Sequence, residues 1–286
     1  MSFRFELLKT YEECYHFQEL TNRIWGGGPA DETPIHILVT IGKNGGGVLA
    51  AYADDGPADL NGMVGMALWW LGTDSQKRLK ICSHMAGVLP EWQGRGVGAL
   101  LKFKQRELVL EQGLTDWITW TYDPLYRTNG VFNVHRLGAT CNTYYRNVYG
   151  ELNDDLNRGA PSDRCQVDWW LRSERVETAA NSKAQRGIPK AEYAGLQVLP
   201  STLTAGHFRA PTETTVPISG APIAVPVPDD IGAIRRTDPE LGKVWRLYMR
   251  TVFEVAFGAG YVMVDCVNLP QQGWHYILTD APIKGD

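Results

Sequence analysis

The sequence predicts a mixed α/β fold in which helices flank a mostly antiparallel sheet, followed by a smaller C-terminal α+β extension. Apolar runs separated by short turns are typical of paired antiparallel strands. A Gly-rich segment, residues 93–98, follows a run that fits a strand and precedes a pattern that fits a helix. Residues 173–190 are small or charged and lack an apolar period, which indicates a boundary. We therefore predict a first domain over residues 1–172, a linker over 173–190 and an extension over 191–286.

The N-terminal region is predicted to contain a strand, a helix and a pair of strands. Residues 3–7 alternate between apolar and polar side chains, as strand positions do. Residues 11–25 have apolar positions at helical spacing, and a Gly-Gly-Gly-Pro sequence then ends the run. The apolar runs at 48–52 and 63–71 are separated by a turn sequence, so we expect them to pair antiparallel.

The central region carries the strand and the helix on either side of the Gly-rich segment. Residues 81–89 are apolar enough for a central strand, and Pro90 ends it because proline cannot donate to the ladder. Apolar residues then spread over a helix that ends near Gly113. Beyond it we expect a strand at 114–122, a helix at 125–137 ended by Gly138, and strands at 139–148 and 165–171.

The extension resembles the central region in the order of its elements. We predict an edge strand at 222–227, a strongly amphipathic helix at 239–257 and a strand at 261–267. This order favours a degenerate repeat of part of the first domain. The extension lacks a counterpart of residues 93–98, so we expect it to hold no cofactor of its own.

The composition narrows the range of partners. The formal net charge is −4, so no basic field would concentrate nucleic acid or an anionic membrane surface. The five cysteines are widely spaced and form no C-x-x-C pair, which argues against a disulfide framework and against a zinc site. No apolar run approaches ~18 residues, and no signal-peptide pattern is present. We expect a cytoplasmic protein with small-molecule partners and no metal, nucleic acid or membrane; a homodimer is left open.

The segment at residues 93–98 has the composition of a phosphate-binding loop. Glycines let the backbone bend tightly and approach an anion without a Cβ in the way, and the N-terminus of a following helix favours negative charge. Arg95 lies close enough in the sequence to add a charge-assisted contact. A plain tight turn is the alternative reading of the same glycines.

A dinucleotide-binding loop is a second alternative. Gly94, Gly96 and Ala99 fit the pattern G-x-G-x-x-A. That pattern opens directly off its strand, however, whereas four residues separate Leu89, at the end of the predicted strand, from Gly94.

Residues 88–101 read Val-Leu-Pro-Glu-Trp-Gln-Gly-Arg-Gly-Val-Gly-Ala-Leu-Leu. This run resembles the acyl-CoA signature of the GNAT superfamily, Q/R-x-x-G-x-G/A after a strand that ends in V-x-P. The predicted order of elements over residues 3–171 agrees with that family. Shorter motifs are similar to a bacterial branch of GNAT acyltransferases, and they lie at residues 84–85, 102–106, 119–125, 156–157 and 161–164. The resemblance covers residues 1–172 well and the extension more weakly.

The resemblance implies an acyl-CoA-dependent N-acyltransferase that uses acetyl-CoA or another acyl-CoA as co-substrate. The acyl group, acetyl or a larger one such as succinyl, would pass by direct attack to the amine of a small molecule, with amino acids as one candidate class. A non-catalytic acyl-CoA sensor or scaffold is the alternative, because the tyrosine that usually serves the family as general acid is missing here.

The resemblance also implies which residues hold the co-substrate. The pantetheine arm would bond backbone groups of Ala86, Gly87 and Val88. Asn129 would approach the arm from the next helix, and Gln93 takes the place of an arginine common in the family. The pyrophosphate would lie on the backbone amides of Gly94, Arg95, Gly96, Val97, Gly98 and Ala99.

Two residues are candidates for the chemistry at the amine. Amide formation from a thioester requires a base with a pKa near neutrality within reach of the attacking amine. His84 fits, because strand alternation places it on the face of Cys82 and Ala86, and some GNAT enzymes carry a histidine base at the matching position. A hydrogen-bonded core histidine is the alternative. Asp123 ends a predicted strand beside Pro124, where it would hold a cationic amine or serve as a turn or capping residue.

The general acid is left unassigned. Val134 and Ala139 stand where the family has tyrosine and phenylalanine. Other tyrosines would reach a thiolate or would only pack, and these are Tyr126, Tyr144 and Tyr145.

The helix after the Gly-rich segment also carries basic residues, namely Lys102, Lys104 and Arg106. We predict that they form a solvated face of the helix. Contact of one of them with the 3′-phosphate of the cofactor is the alternative.

Overall fold

The computed structural model describes residues 2–26, 32–150, 161–182 and 193–280. These residues form two compact units, which divide between Trp120 and Thr121. Each unit contains strands and packed helices.

The division between the units lies at a different position from the predicted linker at residues 173–190. Within that linker, Glu174–Asn181 forms a helix in which Val176 and Ala179 are buried. Residues 183–190 lie outside the described residues, as does the motif at 156–157. The assignment of separate domains before and after the linker stays a prediction.

The sheet of the first unit is antiparallel between all neighbouring strands except one pair. Its strands, in sheet order, are β1 (Arg4–Leu7), β2 (Gly47–Tyr52), β3 (Met63–Thr73), β4 (Leu79–Val88) and β5 (Trp117–Tyr122), whose last two residues are assigned to the second unit. The pairs β1–β2, β2–β3 and β3–β4 are antiparallel, and β4–β5 is parallel. The predicted class, a mostly antiparallel sheet with flanking helices, is confirmed.

Helices α1 (Tyr11–Trp25), α2 (Ile35–Lys43) and α3 (Val97–Gln112) pack against this sheet. All residues of β2 are buried, and because successive side chains of a strand point to opposite faces, both faces are covered at β2. Helix α1 begins at a reciprocal capping box between Thr10 and Glu13, which satisfies backbone donors at its N-terminus. Helix α2 was not predicted.

Strand β4 carries an irregularity that bears on the candidate site. Along the β3–β4 ladder, Leu68 pairs with Met85, whereas the next residue, Trp69, pairs with Ser83. His84 is therefore an extra residue on β4, which defines a β-bulge. A bulge changes the direction of the side chains beside it, so the direction of the His84 side chain cannot be inferred from strand alternation alone.

The second unit contains the remaining helices and strands of the chain's described part. The helix α4 (Arg127–Gly130) continues as a π-helix over Val131–Arg136, ahead of the helices α5 (Glu174–Asn181), α6 (Ile231–Thr237) and α7 (Pro239–Gly258). The strands are β6 (Thr140–Tyr145), β7 (Arg164–Trp170), β8 (Gln197–Val198), β9 (Ser201–Leu203), β10 (Arg209–Pro211), β11 (Ile223–Pro226), β12 (Val262–Leu269) and β13 (Gly273–Thr279). The order in the sheet is β7-β6-β12-β13-β11-β8, while β9 and β10 pair separately.

The long helix α7 supplies much of the core of this unit. Asp238 caps it by accepting a hydrogen bond from the Leu241 N–H, and Pro239 fills the first turn. Its fully buried residues include Trp245, Val252 and Phe253. The helix and strand β12 agree with the predicted elements.

The prediction of an edge strand at 222–227 is wrong. Strand β11 pairs with β13 on one side and with β8 on the other. The prediction overlooked β13, which returns from β12 and covers the edge. Within the described ranges, no helix combines the length and apolar character needed to cross a bilayer.

Candidate active site

The Gly-rich loop joins β4 to α3 by way of a short 3-10 turn over Pro90–Trp92. Gly94 and Gly96 both adopt left-handed backbone conformations, with φ of 75° and 85°. Gly96 is the N-cap of α3, and the first bond of the helix runs from the Leu100 N–H to the Gly96 carbonyl. The first N–H groups of an α-helix have no partner within it, so the loop presents donors and the positive end of the α3 dipole together.

The side chains of the loop are arranged around this turn. Gln93, Gly94 and Arg95 are exposed, while Val97 and Ala99 are buried against the unit. The Arg95 guanidinium lies 4.4 Å from the centre of the buried Trp92 ring, a cation–π geometry that keeps it beside the loop. The Gln93 side chain donates to the Val88 carbonyl at 3.1 Å, which ties the loop to the end of β4.

The second half of β4 is paired on one side by β3. In the described part of the chain, the β4–β5 ladder joins Ile81 to Ile118 and Cys82 to Thr119, while β4 continues to Val88. The predicted pantetheine-binding residues Ala86, Gly87 and Val88 lie in this second half. Gly87 has a packing reason to be glycine, because a Cβ there would lie 2.8 Å from the Trp25 ring at the end of α1.

His84 lies at the β-bulge, between the last β4–β5 pair and the predicted pantetheine-binding residues. It is exposed, as is Ala86, whereas Ile81 and Ser83 are buried. The His84 ring packs against Trp70, with centroids 5.1 Å apart, and partial burial lowers the pKa of the imidazole. The exposure of His84 does not fit a core histidine.

Lys102 departs from the predicted solvated face of α3. It is only 2% exposed, and its Nζ donates to Ser83 Oγ at 3.1 Å and to Gln105 Oε1 at 2.6 Å. The ammonium also lies 3.8 Å from the centre of the Trp120 ring. Burial lowers the pKa of Lys102 to about 7.

The solvated-face prediction is therefore wrong for Lys102. Its neighbour Lys104 is half-buried and pairs with Glu107 at 2.9 Å, and Arg106 is half-buried. The sequence carried no signal for the buried cluster of Lys102, Ser83, Gln105 and Trp120, since its members come from three separate elements.

Asp123 and Asn129 belong to the second unit. Asp123 is buried, accepts the Leu125 N–H at 2.9 Å and forms an ion pair with Arg246. Arg235 lies 3.6 Å from the same carboxylate. Asn129 is exposed on α4. An amine that approached Asp123 would have to compete with Arg246.

The tyrosines named as acid candidates also lie in the second unit. The Tyr144 hydroxyl donates to Asp163, and the Tyr145 hydroxyl donates to Gln166. Tyr126 is half-buried and accepts a hydrogen bond from Arg235 at 3.4 Å. Among the residues that the structure describes, no group of three His, Cys, Asp or Glu side chains is placed to hold a metal ion.

No protein-family profile and no curated protein matches this chain. Among solved structures it is similar to the ribosomal-protein-S18-alanine N-acetyltransferase from Escherichia coli, with 13% identity, a TM-score of 0.45, and 59% of this chain and 94% of that chain covered.

Two further solved structures are similar to this chain. NAA60 from Arabidopsis thaliana, solved with a bisubstrate analogue, shares 10% identity at a TM-score of 0.47 and covers 59% of this chain and 98% of its own. An acetyltransferase of the GNAT family from Streptococcus pneumoniae shares 10% identity at a TM-score of 0.44 and covers 58% and 98%. The chain is similar to GNAT acetyltransferases. These similarities cover a little over half of this chain.

Proposed function

We propose that the chain is a GNAT-type acyl-CoA-dependent N-acyltransferase. The observation that carries the proposal is the junction of β4 with α3. There, a loop with two left-handed glycines presents the N-terminus of a helix beside a strand paired on one side by β3. A co-substrate with a pyrophosphate and an amide-containing arm matches both features, because backbone N–H groups would bind the phosphates and strand groups would bond the arm.

His84 is our candidate for the base. In the reaction, the amine nitrogen attacks the thioester carbonyl, the new C–N bond forms, the C–S bond breaks and the thiolate of CoA leaves. The proton that the amine sheds goes to the neutral imidazole. A lowered pKa keeps His84 neutral at pH 7, which is the form a base requires. Asp123 is the second candidate for contact with the amine.

The proposed acceptor is the amine of a small molecule, and amino acids are the first class to test. No described side chain is proposed as general acid, and the thiolate would take its proton from water. The roles of Gln93, Asn129 and the loop amides in holding the co-substrate are part of the same proposal.

Ligand-induced stabilisation tests the first step. Acetyl-CoA, succinyl-CoA, CoA, NAD and NADP would each be added at about 100 times the expected Kd, where a ligand that binds only the folded state stabilises it by about 2.7 kcal/mol. We expect a higher Tm with CoA and acyl-CoA. A shift with NAD or NADP alone would favour the dinucleotide alternative and contradict the proposal.

Release of CoA thiol tests the second step. Acetyl-CoA is incubated with a panel of amino acids and other small amines, and free thiol is measured with and without protein. Amine-dependent thiol release supports the transferase. Tight binding of acyl-CoA without release across the panel would favour an acyl-CoA sensor.

A further inference from the structure

The buried cluster around Lys102 lies at one defined place in the sheet of the first unit. Cys82 and Thr119 form the last residue pair of the β4–β5 ladder. Ser83 is the next residue on β4, and Trp120 is the next residue on β5. Lys102 contacts both, so its side chain bridges the two strands at the first position beyond their ladder.

The bridge is held by more than one contact. The ammonium donates to Ser83 and Gln105, and the Ser83 hydroxyl lies 3.4 Å from Gln105 Oε1. Ser83 and Gln105 are buried, at 4% and 0% exposure. The face of Trp120 attracts the cation through its quadrupole. A side chain with these contacts has little freedom to move away from the end of the ladder.

The direction of the co-substrate follows from the proposed function, on which this inference rests. The pyrophosphate would lie at the N-terminus of α3 and the arm along Val88, Gly87 and Ala86. The co-substrate would therefore run along β4 toward lower residue numbers. The acyl end then points toward residues 84 and 83. The end of the acyl-CoA groove therefore coincides with the Lys102 bridge.

We propose that Lys102 is a specificity-determining residue that closes the inner end of the acyl-CoA groove along β4 and restricts the acyl group to short chains. In this proposal an acetyl group would end before the bridge. A longer alkyl chain would have to displace the Lys102 side chain or surround its ammonium with apolar groups, and both are unfavourable because a buried cation loses its hydrogen-bonding partners.

The test compares acyl-CoA binding by the full chain and by two lysine variants. Kd values for acetyl-CoA, butyryl-CoA and octanoyl-CoA are measured by titration calorimetry, which needs no acceptor amine. Lys102→Met removes the ammonium and retains a flexible apolar side chain. Lys104→Met is the matched control, two residues along the same helix, where the lysine pairs with Glu107.

We expect the wild-type chain to bind acetyl-CoA more tightly than octanoyl-CoA by about tenfold or more, the scale on which pockets discriminate chain length. Lys102→Met should reduce this ratio by about tenfold, and Lys104→Met should leave it unchanged. Partial unfolding of a variant would weaken both apparent Kd values by the same factor, so their ratio reports on specificity.

Three results would overturn the inference. The first is a wild-type chain that binds acetyl-CoA and octanoyl-CoA equally tightly. The second is a Lys102→Met variant that keeps the wild-type ratio of Kd values. The third is a Lys104→Met variant that changes this ratio as much as Lys102→Met does. If Lys102→Met fails to fold, Ser83→Ala, which removes one anchor of the ammonium, is measured in its place with the same criterion. Absence of any acyl-CoA binding by the wild-type chain would instead overturn the proposed function, and the inference with it.

Discussion

Trp70 and His84 pack against each other across neighbouring strands, with ring centroids 5.1 Å apart and ring planes inclined by 41°. In the β3–β4 ladder Trp70 is opposite Cys82, so the contact to His84 is diagonal and spans the bulge. The indole covers part of the imidazole. It thereby fixes the ring at the bulge and contributes to the partial burial that lowers the pKa of His84.

The first prediction concerns the role of His84 as base. His84→Ala should lower kcat by about 100-fold, the usual scale for loss of a general base, with little change in Kd for acetyl-CoA. His36→Ala is the control, because His36 is exposed on α2. A fall of less than a few-fold would place the base elsewhere, with Asp123 next in line.

The pH profile of kcat/KM gives a second prediction for the same residue. Because the pKa of His84 is lowered from 6.5, the neutral form that accepts a proton is present above that lowered value. The value of kcat/KM should therefore fall as the pH drops below about 6.5. This acidic limb of the pH profile should disappear in His84→Ala. Persistence of the limb in the variant would contradict the assignment.

The third prediction concerns the loop. Gly96→Val should raise Kd for CoA by about tenfold or more, because a side chain at φ of 85° strains the turn and obstructs close backbone approach. Gly113→Val is a matched control, since Gly113 has φ of 70° at the other end of the same helix. Both variants should lose comparable stability in thermal unfolding. Equal CoA affinity in the two variants would remove the loop from the binding site.

Much of the fold could be predicted from local pattern, and the failures have physical causes. The end of α3 at Gly113 and the paired strands β2 and β3 follow from glycine conformation and apolar runs. Residues 35–43, which form α2, read Ile-His-Ile-Leu-Val-Thr-Ile-Gly-Lys, and such a short β-branched run fits a strand as well as a helix.

The candidate site could be predicted from the sequence only where its characteristic residues are consecutive in the chain. The loop at 93–98 is such a case. Lys102, between Leu101 and Phe103, gives the same signal as a surface lysine, and its burial depends on Ser83 and Trp120, which the sheet brings to it. The partner of Asp123 is Arg246, 123 residues away in the chain, so no local pattern connects them.

The fourth prediction concerns the pH dependence of stability. The pKa of Lys102 falls from 10.5 in the unfolded chain to about 7 in the folded protein, so the unfolded chain binds more protons between those values. The free energy of unfolding of the wild type, minus that of Lys102→Met, should therefore rise as the pH increases from about 7 to about 10.5. Urea unfolding at several pH values measures it. Lys104→Met should give no such rise, and a flat difference for Lys102→Met would mean that the ammonium is hydrated.

The fifth prediction concerns the buried ion pair of the second unit. Asp123→Asn removes the charge that compensates Arg246 and should lower the free energy of unfolding by about 3 to 5 kcal/mol, as for other broken buried pairs. Asp229→Asn, at an exposed aspartate of the same unit, should cost less than about 0.5 kcal/mol. Guanidinium unfolding compares the two. A loss below about 1 kcal/mol for Asp123→Asn would indicate that Arg246 gains water or another partner.

The short β4–β5 ladder has a consequence for how the backbone of β4 exchanges its hydrogens. Amides that bond to β3 are held in the ladder, while alternate amides beyond Cys82 point toward the other edge of the strand. Deuterium uptake along residues 85–88, beyond the bulge at His84, should therefore alternate between slow and fast with a period of two residues. A molecule that bonds along that edge would make the fast sites slow, so the labelling pattern would reveal occupancy of the strand without any knowledge of the reaction.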